Sequence, residues 1–226
     1  MRTAICCWLV MVGFLRAAGL TFESQLVEIN APANAKSVVA EFKFENKTDK
    51  QVSIARFDKT CSCINVKISD GKLAYAPGEG GEIRAAFDMG NFSGVVDKVV
   101  VLWLDSDPAE KPSITLTVRV HIPVLVVMSE KTLKWTIGAK PETRKIDITM
   151  DYSKPIKIVS ATSTSENLKV QVKVLEEGKH YELLVTPEDT KEPGLAIIRI
   201  ETDCDIARHQ VLQAFAVIRR ELPPIP

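Results

Sequence analysis

From Thr21 onward the apolar residues of this chain recur at every second position. Val38, Ala40, Phe42 and Phe44 alternate with polar neighbours, as do Val52 and Ile54, then Ile64, Val66 and Ile68, and then Ile83, Ala85 and Phe87. Period two places alternate side chains on one face of a strand, so each run predicts a half-buried β-strand. Val96 to Leu104 is almost continuously apolar, which predicts a central strand covered on both faces. Ile114, Leu116, Val118 and Val120 form a further alternating set. Turn-forming residues separate the runs: Asn46 to Asp49, Ser69-Asp70-Gly71, Pro77-Gly78-Glu79-Gly80-Gly81 and Asp105 to Pro108. No stretch of ten or more residues carries a clear 3.6-residue period, so the body of the chain is expected to be all-β.

After His121-Ile122-Pro123, which reads as a short linker, the pattern begins again. Leu133, Trp135 and Ile137 alternate, then Ile146, Ile148 and Met150, then Ile156 and Ile158, then Leu168, Val170, Val172 and Val174. Leu183 with Val185, Ile198 with Ile200, and the run from Val211 to Ile218 complete the set. Each half closes alike: a long apolar strand, an acidic turn (Asp105-Ser106-Asp107 or Asp203-Cys204-Asp205) and a final alternating strand. A weak repeat of roughly one hundred residues predicts two tandem immunoglobulin-like β-sandwich domains, over 20–121 and 122–220, with one large sandwich as the alternative.

The ends differ in character. Arg2 precedes an apolar run from Ala4 to Leu15, followed by Ala17-Ala18-Gly19. That is the form of a secretory signal peptide over residues 1–19, and the run is too short to span a bilayer. Arg16 departs from the ideal and leaves an uncleaved anchor as the alternative. Cys6 and Cys7 lie inside the apolar run rather than after a small-residue box, which weakens a lipoprotein reading. At the other end, Glu221-Leu222-Pro223-Pro224-Ile225-Pro226 is an extended, proline-rich tail. Acidic and basic residues balance at 29 each, so no global field draws nucleic acid or anionic membrane. The expected compartment is extracytoplasmic: periplasm, or secreted.

The first half carries a more specific signature. A strand ends Phe42-Lys43-Phe44-Glu45-Asn46-Lys47-Thr48; a second strand and Thr60-Cys61-Ser62-Cys63 follow. Ala76-Pro77-Gly78-Glu79-Gly80-Gly81-Glu82-Ile83, Phe87-Asp88 and Gly94 come next. This stretch, roughly Lys36 to Ile122, resembles the bacterial domain of unknown function family 1573. Thr60 stands where that family commonly has Ser, and Ser62 where it commonly has Gly; the second half lacks the box. The resemblance implies an immunoglobulin-like fold related to cilium- and sperm-protein type domains, and export. It implies no catalytic activity; separately, no cofactor is expected.

Cys61, Cys63 and Cys204 are the cysteines left after the signal segment. If the chain is extended at the box, Cys61 and Cys63 share the outer side, with Cα atoms roughly 6.5 to 7 Å apart, near the limit for a disulfide. A bridge there would be strained and easily reduced. Three roles compete for the pair. They could staple the loop, or form a redox couple with Lys59 and Lys67 as the cations favouring thiolate. They could also chelate Cu(I) or Zn(II). His121, His180 and His209 are scattered and complete no ligand set. Cys204 is expected in an exposed turn, where it could bridge to another chain.

Other signals read as structure. Gly78-Glu79-Gly80-Gly81 precedes a strand, not a helix, and so is a hairpin turn rather than a phosphate loop. Asp105 with Asp107, and Asp203 with Asp205, are turn formers before they are Ca²⁺ ligands. Asn46-Lys47-Thr48 and Asn91-Phe92-Ser93 are glycosylation sequons, read as unmodified turns if the source is bacterial. Trp103 and Trp135 are core or interface residues rather than a ligand platform. No nucleophile motif or paired-acid constellation appears. The expected function is a non-enzymatic structural or interaction module with an unidentified protein partner in the cell envelope. It is expected to bind no nucleic acid and to have no integral membrane span after cleavage; thiol redox or soft-metal binding is the alternative.

Overall fold

A computed structural model describes residues 19–220, and these are all-β, apart from two single-turn 3-10 segments at Ser69–Gly71 and Ala207–His209. The expected signal segment lies outside the described residues save for Gly19, and the proline-rich tail lies outside them too. Among the described residues no helix is long and apolar enough to cross a membrane.

The chain divides into two compact units. One comprises residues up to 29 with 37–88 and 97–120; the other comprises 30–36, 89–96 and everything from 121 on. The first unit is built from β1 (Leu20–Phe22), β2 (Leu26–Asn30), β3 (Ser37–Asn46), β4 (Val52–Lys59), β5 (Ile64–Ile68), β6 (Ala74–Tyr75), β7 (Gly80–Asp88), β8 (Gly94–Leu104) and β9 (Ile114–Ile122). They form two sheets, ordered β1-β3-β7-β5 and β2-β9-β8-β4-β6. The alternation seen in the sequence sets their inner faces: Phe42, Phe44, Ile83, Ala85 and Phe87 from one sheet, and Ile54, Val100, Leu102, Leu116 and Val118 from the other, are all buried. Burying each large apolar side chain contributes about 1.5–3 kcal/mol, so these two rows hold the sandwich together. The Phe44 and Tyr75 rings meet edge to face at 4.8 Å, linking one sheet to the other.

The second unit contains β10 (Val126–Met128), β11 (Thr132–Thr136), β12 (Arg144–Met150), β13 (Ile158–Ser163), β14 (Leu168–Glu176), β15 (His180–Pro187), β16 (Gly194–Thr202) and β17 (Val211–Arg219). Its sheets run β10-β12-β15-β14 and β11-β17-β16-β13. Strand for strand, these orders repeat the first unit's, with β1–β5 matched by β10–β14 and β7–β9 by β15–β17; only β6 has no counterpart. The parallel edge pair recurs as well. β11 runs parallel to β17 from Thr132↔Phe215 to Thr136↔Arg219. In the first unit the Thr117 N–H donates to the Gln25 carbonyl (2.7 Å) and the Ala31 N–H to the His121 carbonyl (3.0 Å). Both strands advance together between those bonds, so β2 runs parallel to β9. The repeat visible in the hydrophobic pattern is therefore a repeat of topology.

One expectation needs correcting. β8 is central in its sheet, yet only one of its faces is sealed: Val100, Leu102 and Leu104 are buried, while Val99, Val101 and Trp103 are half-buried. The outer face is covered by side chains rather than a further layer. The Arg56 guanidinium stacks 3.8 Å over the Trp103 ring and donates to the Ala109 carbonyl. Trp135, by contrast, is core, and its Nε1–H donates to the Glu142 carbonyl at 2.9 Å.

Candidate functional site

Cys61 and Cys63 occupy the connection that carries the chain from one sheet of the first unit to the other. Upstream, β4 pairs Lys59 with Val100, and the Thr60 N–H donates to the Val99 carbonyl at 3.1 Å. Downstream, β5 pairs Ile64 with Phe87, and the Asp88 N–H donates to the Cys63 carbonyl at 2.9 Å. Between these anchors the backbone turns, and the Ile64 N–H points at the Cys61 carbonyl at 3.5 Å. The turn contracts the Cys61–Cys63 Cα separation to 5.2 Å, and the two sulfurs form a disulfide. The expectation of an extended, stretched bridge is thus overturned: 5.2 Å lies inside the ordinary range for disulfides. The pair is half-buried, with Ser62 exposed between its members. Lys59, a candidate cation from the sequence, places Nζ 2.6 Å from the Ile64 carbonyl, where it covers an edge acceptor of β5. Lys67 is exposed on β5.

The third cysteine does not join them. Cys204 was expected in an exposed turn, but only 3 % of it is exposed, and it packs into the second unit's core. Its sulfur accepts the Ile206 N–H at 3.5 Å, and its own N–H donates to Thr202 Oγ1 at 3.2 Å. Burial pushes its thiol above the ordinary value. The neighbours explain the inversion. Asp203 Oδ1 accepts the Lys157 N–H at 2.6 Å and Asp205 pairs with Lys154, so both acids turn outward and Cys204 between them turns in. A bridge from Cys204 to another chain is therefore ruled out in the folded state.

The glycine turn is tied to a buried asparagine. Asn46 is fully buried at the end of β3. Its Nδ2 donates to the carbonyls of Lys50 and Tyr75, each at 2.8 Å, and its Oδ1 accepts the Thr48 N–H (3.0 Å) and Oγ1–H (2.7 Å). Its backbone N–H donates to the Glu79 carbonyl and its carbonyl accepts the Gly78 N–H. Glu79 caps the same turn through the Ala76 N–H at 2.9 Å and an ion pair with Lys72. Gly78 adopts φ +76°, the left-handed region that favours glycine. The segment opens strand β7, as its sequence context predicts. Asp107 likewise turns inward on its own loop, its Oδ2 accepting the Leu104 and Ser113 N–H groups. Among the described residues no group of three or more His, Cys, Asp or Glu stands where it could hold a metal ion.

The family model described as "Protein of unknown function (DUF1573)" matches residues 20–121. Residues 20–121 form a DUF1573 domain. The Cys-x-Cys turn, the Asn46 node and the glycine turn that carry the resemblance all lie within it. No curated protein matches the chain. Among solved structures, the chain is similar to a protein of unknown function from Porphyromonas gingivalis W83, at 14 % identity and TM-score 0.34, over 88 % of this chain and 99 % of that one. It is also similar to the VesB protease of Vibrio cholerae at 14 % identity and TM-score 0.38, over 46 % of this chain and 32 % of the protease, so it spans about a third of that molecule. Zebrafish RET cadherin-like domains 1 to 4 match at 8 % identity and TM-score 0.32, over 90 % of this chain and 51 % of that one.

Sequence reasoning missed two features. His209 is buried, only 4 % exposed, in the 3-10 turn before β17. The second is the outer face of the β11-β17-β16-β13 sheet. Register sets Leu195 beside Val217 and Ile197 beside Phe215 on that face. A signal existed: Leu195 to Ile198 and Ala214 to Ile218 are apolar in both phases of the alternation, where a sheet wet on one face has polar residues in one phase.

Proposed function

We propose that this protein is a non-enzymatic structural or protein-interaction module that acts outside the cytoplasm. The observation that carries the reading is the exposed apolar row on the second unit, with Leu195 71 % exposed at the rim of the sheet. Polar groups that could have carried chemistry are bonded within the fold: Asn46, Glu79, Asp107 and Asp203 all serve backbone N–H groups or carbonyls. An exposed apolar patch on a sheet marks a docking surface. An immunoglobulin-like reading of both units is supported by paired sheets of matching order with a parallel edge strand. The extracytoplasmic compartment rests on the apolar N-terminal run and on the Cys61–Cys63 disulfide, a bond that persists in oxidising compartments. The test is affinity capture of the protein from envelope extract after crosslinking, beside a turnover screen. Capture of a defined protein that depends on Ile197 supports the module; turnover without any captured protein overturns it.

A second reading is thiol redox exchange at Cys61 and Cys63. The bridge closes a loop of only three residues, so its effect on the unfolded chain is about 1.6 kcal/mol, small for a staple. It is also half-buried rather than sealed. Soft-metal binding by the same sulfurs would first require reduction of that bond. Titration of the Cys61–Cys63 couple against a dithiol buffer tests the reading. Equilibrium near the potential of the compartment supports it, and resistance to any mild dithiol overturns it.

A further inference from the structure

The turn that holds Cys61 and Cys63 occurs twice in this chain, and the second time without a disulfide. In the first unit the Thr60 N–H donates to the Val99 carbonyl, the Ile64 N–H to the Cys61 carbonyl and the Asp88 N–H to the Cys63 carbonyl, at 3.1, 3.5 and 2.9 Å. In the second unit the Thr164 N–H donates to the Ile197 carbonyl, the Leu168 N–H to the Ser165 carbonyl and the Glu188 N–H to the Asn167 carbonyl, at 3.0, 3.3 and 2.8 Å. The flanking register agrees. Ile64 pairs with Phe87 as Leu168 pairs with Pro187, and the Val99 and Ile197 N–H groups each donate to the hydroxyl of the threonine opposite. Thr60-Cys61-Ser62-Cys63-Ile64 is thus matched residue for residue by Thr164-Ser165-Glu166-Asn167-Leu168. The side chains do not follow the backbone. Where the first unit has two bonded sulfurs, Ser165 Oγ accepts the Asn167 N–H at 3.3 Å and the Asn167 amide bonds the Asp189 backbone. Likewise Asp97, two residues before Val99 and paired with Arg119 on the first unit's outer face, falls at the place of Leu195. A turn that recurs under different side chains is set by the strands it joins, so the Cys61–Cys63 bond is not what bends it.

We propose that Cys61 and Cys63 are a dithiol–disulfide couple preset by the fold, which exchanges two electrons with a dithiol partner and keeps its turn in both states. The proposal rests on the thiol-exchange reading and names the class of co-substrate. A thiolate of the partner attacks one sulfur of the bond, and the other sulfur leaves as thiolate. The partner's second thiol, once deprotonated, displaces the first sulfur from the mixed disulfide. The partner ends as a disulfide, and the two protons its thiols gave up finish on Cys61 and Cys63. A partner disulfide reverses each step and restores the bond. Both cysteines are half-buried, so an incoming thiolate has access. The retained turn also selects a dithiol over a monothiol. It keeps the freed sulfur beside the mixed disulfide, where the freed sulfur expels a monothiol before a second one arrives. A dithiol resolves the adduct with its own second sulfur.

The test uses the whole protein in buffers of reduced and oxidised dithiothreitol, read by alkylation and intact mass, with amide hydrogen exchange at Thr60 and Asp88 in both states. The pair is expected to pass fully between its two forms, and exchange at both amides is expected to change by less than about tenfold. Reduced glutathione at equal thiol concentration is expected to leave no stable adduct on either cysteine. Cys61→Ser with Cys63→Asn, which copies the second unit's turn, is expected to keep the same two amides protected. Exchange at either amide that rises more than about tenfold on reduction or in that variant, or a stable glutathione adduct, overturns the preset couple while leaving thiol exchange standing. A bond that no ratio of the dithiol buffer reduces brings down both.

Discussion

The side-chain amide of Asn46 donates to the Tyr75 carbonyl at 2.8 Å, joining the end of β3 in one sheet to β6 in the other. The same amide bonds the Lys50 carbonyl, and its oxygen takes two further donors from Thr48. One buried residue therefore fixes two turns and one sheet-to-sheet junction. Asn46→Ala is expected to destabilise the protein by about 2–3 kcal/mol, because several buried groups lose their partner at once. Chemical denaturation checks it. Asn46 also sits in a glycosylation sequon, and its buried amide predicts no glycan there even in a glycosylating host, readable as an unchanged intact mass.

Gly81 is required by a close approach rather than by its φ. A Cβ there would lie 2.6 Å from Phe44 Cζ and 2.7 Å from Tyr75 Cε1. Gly81→Ala is expected to cost about 1–3 kcal/mol by overpacking that aromatic pair. The melting temperature measures it, with Gly194→Ala, where nothing stands within 4 Å, as the comparison.

The cysteines should separate cleanly. Under native conditions with mild reductant, Cys61 and Cys63 are expected to be alkylated and Cys204 to remain protected until the protein unfolds. Cys61→Ser with Cys63→Ser is expected to lower stability by less than about 2 kcal/mol, as suits a three-residue loop. Intact mass with and without reductant reads the first outcome and urea denaturation the second.

His209 gives the protein an acid-sensitive step. Burial lowers its pKa from the ordinary 6.5, a shift that the hydrogen bond to Pro123 opposes and the neighbouring Arg208 adds to. The neutral imidazole is the form the fold holds. Its contribution is complete above the unfolded pKa of about 6.5 and is lost as pH falls from there toward the lower folded value. Stability is therefore expected to decline as pH falls below about 6.5, and His209→Gln is expected to flatten that decline. Denaturation midpoints across the interval check the slope.

How far the sequence could be read follows from which interactions are local. Period-two alternation reports which side of a strand is buried, so the Phe42–Phe44, Ile83–Phe87 and Ile146–Ile148 rows were legible, and the acidic turns betrayed the repeat. Turn chemistry placed Asn46 and Pro77–Gly81 in turns but could not reveal that Asn46 turns inward, because its partner Tyr75 is 29 residues away. The Cys box was misread as extended: a single weak bond, from the Ile64 N–H to the Cys61 carbonyl, decides the turn. At Cys204 the flanking acids suggested exposure, although alternation alone turns the middle residue of Asp-Cys-Asp inward. The apolar outer face of β16 and β17 was visible as a run without alternation, and only strand order gave it a counterpart on the first unit to be compared with.

The most direct test of the interaction account is photo-crosslinking in cells from two equivalent faces. A photoreactive residue at position 197 lies on the apolar face of the second unit, and one at 115 lies on the ion-covered face of the first. The account predicts a defined protein adduct from position 197 and none from position 115. Equal labelling from both, or no adduct from 197, would contradict it.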